Sequence, residues 1–166
     1  MRDPRQLTLD DLPKKRATED IPRKEHRTKF QIAVEKVLEG HGLLGKFQTV
    51  NDFHVRLEQE PYEPLVIERH GEMISVAHYI EEDHEAIPDP DVELHFPDWS
   101  PTAIQMQNGY YTSKFVERDG RQYVNIAFDK SVRPLLTTWA RNIKAQGWAD
   151  PNKVKATGRS VPAQEV

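Results

Sequence analysis

Seven histidines and many carboxylates, in a chain of 166 residues without cysteine, raise the question of a metal site with nitrogen and oxygen ligands. Such a site needs three or four ligands that fixed elements bring together, and no HExxH, HxH or HxxxH spacing occurs. The strongest group of candidate ligands is His78, Glu82, His84, Asp89, Asp91 and His95. The sequence favours structural or solvated histidines here. The alternative is a metal-dependent enzyme centred on His78, with His84 and His95 as further ligands.

A hydrolytic site would need paired carboxylates, or a nucleophile within reach of its base. Ser75 precedes His78 by three residues, but on a strand these two side chains point to opposite faces. The sequence contains no GxSxG, Walker or GxGxxG motif. We therefore predict no catalytic residue and no cofactor, and we favour a protein that is not an enzyme.

The charge of the chain is unevenly distributed, although the net value is only -4. Residues 1–29 carry a net +3, residues 30–140 a net -10 and residues 141–166 a net +3. Eight acidic residues and no lysine or arginine occupy residues 81–98. A field of one sign steers partners of the opposite sign, so this distribution bears on binding more than the total does.

We predict that residues 81–98 form an acidic loop interrupted by prolines. Its exposed carboxylates would bind a basic macromolecular partner, as DNA-mimicking inhibitors do, through Asp83, Glu85, Asp89 and Asp91. The plainer interpretation is that these carboxylates keep a small domain soluble.

A second candidate for partner binding is a short peptide near the N-terminus. Gln6, Leu7 and Leu9 resemble the Gln-Leu-x-Leu-Phe peptide by which bacterial proteins dock on the replication sliding clamp. Position 10 is Asp, where that peptide has its aromatic residue. A peptide with two or three apolar anchors can bind a groove on another protein, or can pack on its own domain.

Basic residues near the N-terminus make nucleic-acid binding a further alternative. The residues concerned are Lys14, Lys15, Arg16, Arg23, Lys24, Arg27 and Lys29. Tyr110 and Tyr111 would add aromatic contacts, but adjacent residues of a strand point to opposite faces. The acidic central region opposes a duplex that lies across the domain.

These residues must be positioned by a β-sheet, whose centre the sequence places at residues 64–80, PLVIERHGEMISVAHYI. Two β-branched runs flank Gly71, which indicates a hairpin of strands 65–68 and 73–80. Their apolar residues are nearly continuous, which is typical of central strands.

Further strands are predicted from alternation and turn residues, at 53–58, 92–96, 103–107, 110–117 and 122–128. Helices are predicted from apolar stripes of period 3.6, at residues 24–39 and from Ser131 to Gly147. Thr28 would cap the first helix if it begins late, Ser131 would cap the second, and Pro134 would lie in its first turn. The predicted fold class is α+β, an antiparallel sheet of about six or seven strands with the two amphipathic helices on one face.

We expect a flexible N-terminal tail over residues 1–22, one domain over 23–148 and a flexible C-terminal tail over 149–166. No apolar run reaches the roughly 18–20 residues of a membrane span. The N-terminal residues show no apolar core of a secretory signal. A cytoplasmic protein without a membrane partner is the resulting expectation.

The core of the chain also resembles a group of uncharacterised small proteins of bacterial plasmids, conjugative elements and phages. The matching pieces are residues 64–68, the strand ISVAHY at 74–79, and Asp89-Pro90-Asp91. The loop at 81–85 replaces the glycine-containing turn of that group. The resemblance implies an accessory protein of a mobile element, with a protein partner and no known catalytic residues.

Overall fold

The computed structural model describes Gln6–Thr8 and residues 27–158 of the chain. These residues contain three helices: α1 (Lys29–Gly40), α2 (Leu44–Thr49) and α3 (Ile126–Gln146). None of the three combines the length and the apolarity that a crossing of a bilayer requires.

Both predicted helices form, and two of their predicted end signals are confirmed. The hydroxyl of Thr28 accepts a hydrogen bond from the backbone N–H of Gln31 at 3.0 Å, which caps the start of α1. Gly147 ends α3 in the left-handed conformation, with φ 77°, which glycine adopts without a steric penalty.

The described residues also form ten strands, and every pairing between them is antiparallel. The predicted α+β class is therefore confirmed. The strands are β1 (Gln6–Thr8), β2 (Asp52–Glu58), β3 (Leu65–His70), β4 (Met73–Glu82), β5 (Glu85–His95), β6 (Pro101–Gln105), β7 (Tyr111–Ser113), β8 (Phe115–Arg118), β9 (Arg121–Asn125) and β10 (Lys155–Gly158).

These strands make two sheets, with the orders β10-β2-β3-β4-β5-β6-β7 and β1-β9-β8. The single predicted strand at 110–117 is interrupted at Lys114, so that β7 stays in the large sheet while β8 pairs with β9. The hydroxyl of Ser113 accepts from the backbone N–H of Phe115, a local bond that competes with regular strand pairing.

The core lies on one face of the large sheet. Val55 is paired with Ile67, Ile67 with Val76 and Val76 with Val92, so these four side chains share a face. All four are at most 2% exposed. Burial of each stabilises the fold by roughly 1.5–3 kcal/mol before the cost in conformational entropy.

Side chains of all three helices join this core. His78 packs its ring 5.6 Å from that of Trp139 in α3, and Phe30 of α1 lies 5.1 Å from the same indole. Arg69, on the same face as Val76, donates to the carbonyl oxygen of Phe47 in α2 at 2.8 Å. We call this side of the large sheet the helix-packed face.

The predicted start of the C-terminal helix at Ser131 is wrong. The helix begins at Ile126, immediately after β9, and Ser131 lies inside it with its hydroxyl donating to the carbonyl oxygen of Phe128. Pro134 is therefore internal rather than in the first turn, and its side chain is exposed. Phe128, predicted to end a strand, is instead a buried residue of α3.

The predicted C-terminal tail at 149–166 needs correction for its first ten residues. Lys155–Gly158 form β10, which pairs with β2 along the edge of the large sheet. Val154 is buried at 4% exposure, so an apolar anchor precedes the strand. Residues 159–166 lie outside the described residues. Of the predicted N-terminal tail at 1–22, the structure describes only Gln6–Thr8.

Candidate functional site

The face of the large sheet opposite the helices carries polar side chains in register. One row runs across four strands, in which His54 pairs with Glu68, Glu68 with Ser75 and Ser75 with Glu93. Because paired residues of neighbouring strands project to the same side, these side chains form one surface. We call it the polar face.

The adjacent row of the polar face contains Arg56, Val66, Ala77 and Asp91, again in direct register. The hydroxyl of Ser75 donates to Asp91 Oδ1 at 2.8 Å, which joins the two rows. This role of Ser75 was not predicted from the sequence. The sequence does place Ser75 on this face, because side chains alternate along β4: Ser75 and Ala77 point to one side, and Ile74 and Val76 to the other.

The environment of the carboxyl groups on the polar face disfavours their ionised form, which lowers the stability of the fold. Burial raises the pKa of Asp91; the hydrogen bond from Ser75 opposes this effect, and the charge of Glu68 adds to it. Burial and the charge of Asp91 likewise raise the pKa of Glu93. The pKa of Tyr79 is raised by its burial and by Asp91 and Glu68. A cation bound beside these groups would relieve that cost.

A depression of about 650 Å³ lies at the β10 end of the polar face. Its lining includes His54, Arg56, Glu68, His70 and Thr157. The Nδ1 atom of His54 is buried and has no hydrogen-bond partner in the described part of the chain. A buried nitrogen without a partner costs stability, because folding removes it from water without a replacement hydrogen bond.

Two histidines, His70 at the end of β3 and His95 at the end of β5, are bracketed by carboxylates. His70 lies 3.1 Å from Asp52 and 3.0 Å from Glu68, and hydrogen bonds to Glu68 and Asp52 raise its pKa. His95 lies 3.0 Å from Asp98 and 3.3 Å from Glu72, and the hydrogen bond to Asp98 is the largest cause of its raised pKa. In both places the neighbouring carboxylates favour the protonated form of the ring.

The predicted acidic loop is wrong in its secondary structure. Most of it belongs to the hairpin of β4 and β5, whose turn contains Asp83 and His84 at φ 51° and 69°. Positive φ at both central residues is the geometry of a tight hairpin turn, and Asp tolerates it better than most residues. Pro88 and Pro90 are accommodated because β5 pairs only with β4 there, which leaves its other edge free.

This hairpin extends beyond its neighbours. The pairing of β3 with β4 ends at His78, and the pairing of β6 with β5 ends at Asp91. Residues 79–88 therefore form a two-stranded projection, which we call the acidic ribbon. Its exposed acidic residues are Glu81, Glu82, Asp83 and Glu85.

The four acidic residues predicted to bind a partner are spread along this hairpin. Asp83 and Glu85 lie exposed at the tip of the acidic ribbon. Asp89 accepts a hydrogen bond from the backbone N–H of Gln107 at 3.2 Å, and Asp91 lies half-buried on the polar face. Since a strand rises about 3.3 Å per residue, Glu85 and Asp91 are about 20 Å apart along β5.

The histidines of the metal alternative are not brought together. His78 lies on the helix-packed face, His84 at the tip of the ribbon, and His95 on the polar face beside Asp98. No group of three or more His, Asp or Glu side chains in the described ranges is arranged to hold a metal ion.

His78 is held as a structural residue. Its Nδ1 lies 3.1 Å from the carbonyl oxygens of both Glu63 and Pro64, and its ring packs against Trp139 and Trp148. Burial lowers its pKa, so that the ring is neutral at physiological pH. Ser75 points to the opposite face, as predicted, so His78 is out of reach as a base for the Ser75 hydroxyl.

The N-terminal peptide is only partly described. Gln6 pairs with Asn125, and Leu7 with Val124, so this backbone adds β1 to the small sheet. Leu9 lies outside the described residues.

Of the seven basic residues considered for nucleic-acid binding, the structure describes two, Arg27 and Lys29. Arg27 forms an ion pair with Glu35, and Lys29 is exposed at the start of α1. The others lie outside the described residues. Tyr110 and Tyr111 are 46% and 61% exposed.

Comparison with known families adds one finding to this geometry. A family described as a domain of unknown function, DUF6908, matches residues 33–149, which is more than two thirds of the chain. The match begins within α1 and includes α2, the strands from β2 to β9 and all of α3. Comparisons with curated proteins and with solved structures found no match. The chain therefore belongs to the DUF6908 family of domains of unknown function.

Proposed function

We propose that this protein is a non-enzymatic binding module that engages a macromolecular partner with a basic surface through the acidic ribbon. The observation that carries the proposal is the extension of residues 79–88 beyond both neighbouring strands. The ribbon presents four carboxylates and contains no lysine or arginine. A projection of this kind reaches a partner without rearrangement of the sheet.

The surroundings of the ribbon extend the acidic surface onto the domain. Asp91 and Glu93 continue along β5 on the polar face. Burial raises the pKa of each carboxyl group, and a neighbouring charge adds to the rise, from Glu68 for Asp91 and from Asp91 for Glu93. The closest cation is Arg56, whose Nη2 lies 3.9 Å from Glu81, and it already bonds Glu58 at 3.0 Å. The acidic charge is therefore largely uncompensated, and a basic partner would gain free energy by neutralising it.

The resemblance to proteins of plasmids, conjugative elements and phages supports an accessory role in a mobile element. We propose that the partner is a protein of the same cell and that binding takes place in the cytoplasm. A chain without cysteine is compatible with that reducing compartment.

The test is capture of host proteins on the immobilised full chain and on a variant with Glu81→Gln, Glu82→Gln and Glu85→Gln. We expect basic proteins to bind the wild-type chain, to elute as salt rises, and to be lost from the ribbon variant. Equal capture by both chains would refute the proposal.

A matched control removes the same amount of charge elsewhere. Glu39, Glu60 and Glu117 are exposed residues outside the ribbon and the polar face. Their triple replacement by Gln should leave capture unchanged. Loss of capture in this control as well would show that net charge, rather than the ribbon, holds the partner.

A further inference from the structure

A groove separates α1 from the second half of α3, on the helical side of the molecule. Its volume is about 440 Å³, and residues 147–149 line one end of it. Val37, Ala140, Ile143 and Trp148 contribute buried apolar atoms to its floor, together with half-buried Ala33. The volume and the apolar floor match the usual properties of small-molecule sites in proteins.

Every charged residue that lines this groove is a cation. Lys29 and Lys36 line it from α1, and Arg141 and Lys144 line it from α3. All four side chains are exposed, and no ion pair to any of them is found among the described residues. No aspartate or glutamate lines the groove. We call this site the basic groove.

Helical geometry brings these cations over the floor. Lys29, Ala33 and Lys36 lie at i, i+4 and i+7, which places them on one face of α1. Arg141 and Lys144 are three residues apart on the facing side of α3. Lys29 and Lys36 are about 10 Å apart along the axis, because a helix rises 1.5 Å per residue. Positive charge therefore surrounds the floor from both sides.

Such a concentration of like charge is unexpected in a domain whose net charge is negative. Like charges on neighbouring helices repel one another, and no carboxylate of the described residues lies within ion-pair distance of these four cations. An anion in the groove would provide that compensation, while an apolar body on the floor would be removed from water.

We infer that the basic groove binds a small amphipathic anion, with its apolar body on the Ala33 and Ala140 floor and its acidic group between the lysines and Arg141. This site is independent of the acidic ribbon, which has the opposite charge and belongs to the β4–β5 hairpin. The apolar body can be aliphatic or aromatic, and the acidic group is a carboxylate or a group of similar charge.

The test is titration of the full chain with decanoate, below the concentration at which it forms micelles, and with 1-naphthaleneacetate. Calorimetry and amide NMR shifts should show saturable one-to-one binding, with the largest shifts at residues 29–37 and 137–149. The anion that binds more tightly identifies an aliphatic or an aromatic body. Absence of saturable binding by both would overturn the inference.

Decyltrimethylammonium provides the matched ligand, with the same chain and the opposite charge. We expect no saturable binding of this cation at the groove. Equal affinity for the cation and for decanoate would show that only the apolar floor is recognised, which would refute a site for anions.

Protein variants complete the test. The double replacement Lys36→Glu and Arg141→Glu should lower the affinity for the anion at least about tenfold, because two attractive charges become repulsive. Arg118→Glu with Lys130→Glu makes the same change in net charge at exposed residues outside the groove and should leave affinity unchanged. Ala33→Phe fills the floor and should also abolish binding. Unchanged affinity in both groove variants would overturn the inference.

Discussion

The acidic ribbon and the basic groove are opposite solutions to the presentation of charge. The ribbon places four exposed carboxylates on two strands and their turn, beyond the pairing with β3 and β6. The groove places four cations around a floor of buried apolar residues. Attraction at the ribbon should weaken strongly with salt, whereas burial of apolar surface in the groove should not.

A second difference separates the two faces of the large sheet. The helix-packed face contains the fully buried side chains of the core, including Trp148 and Phe47. The polar face contains titratable groups whose charges are partly unfavourable, among them Asp91 and Glu93. Stability is therefore concentrated on the helical side, and the sheet side retains carboxyl groups whose ionisation costs stability.

The largest expected effect comes from truncation of Trp148. This side chain is 0% exposed and lies near His78 and Tyr62. Trp148→Ala should lower the free energy of unfolding by about 3–5 kcal/mol, measured by chemical denaturation. Tyr111→Ala on the sheet side, at 61% exposure, should change it by less than about 0.5 kcal/mol. Similar losses in the two variants would contradict the contrast between the faces.

A smaller effect is expected where α1 meets the segment after α3. A Cβ atom added at Gly40 would lie 2.0 Å from the carbonyl oxygen of Ala149, so the backbone must move. We expect Gly40→Ala to cost about 1–3 kcal/mol, as overpacking does. Gly45→Ala in α2 meets nothing within 4 Å and should stabilise the protein by roughly 0.5–1 kcal/mol. Thermal denaturation of both variants separates the steric overlap at Gly40 from the general effect of replacing a glycine.

On the polar face, removal of a charge should raise stability. The pKa of Asp91 is raised in the folded protein, so its ionised form destabilises the fold above that pKa. Asp91→Asn should stabilise the protein at pH 7 by about 0.2–1 kcal/mol, the range of cross-strand pair energies. The gain should disappear as pH falls through the folded-state pKa. A loss of stability at pH 7 would contradict this prediction, because it would show that favourable contacts of the Asp91 carboxylate outweigh the cost of its ionisation.

The smallest effect is expected at His70, which is bracketed by Glu68 and Asp52. Its pKa is raised in the folded protein, so the interaction stabilises the fold below the unfolded-state pKa and is lost as pH rises through the folded-state pKa. His70→Gln should cost a few tenths of a kcal/mol at pH 5.5, as exposed ion pairs do. At pH 8.5 it should cost less. A cost independent of pH would exclude a contribution from the charged ring.

Much of this fold follows from local patterns in the sequence. The apolar stripes of α1 and α3, the cap at Thr28 and the end at Gly147 all depend on residues within one or two turns. The hairpin of β3 and β4 likewise follows from two β-branched runs around Gly71. Such signals are readable because the same residues that form an element also bury it.

The rest depends on tertiary contacts that a local pattern does not contain. The turn at Asp83 and His84 lacks glycine, and the prolines of β5 are tolerated only because its other edge is unpaired there. The helix start at Ile126 follows from its direct connection to β9. In each case a general preference of the residue type is overridden by its position in the sheet.

The two candidate sites differ in the same respect. The exposed ends of the ribbon, Asp83 and Glu85, were predictable from charge alone. The basic groove was not, because Lys36 and Arg141 lie more than one hundred residues apart and meet only when α1 packs beside α3. The row of Glu68, Ser75 and Glu93 similarly requires the register of three strands.

The pairing of β10 with β2 has a practical consequence for shortened chains. Lys155–Gly158 pair with the outer edge of β2, in register with residues 55–58. A chain cut before Lys155 would leave that edge open, and open edges recruit strands from other molecules. Such a truncation should self-associate into β-rich aggregates even though its hydrophobic centre is intact.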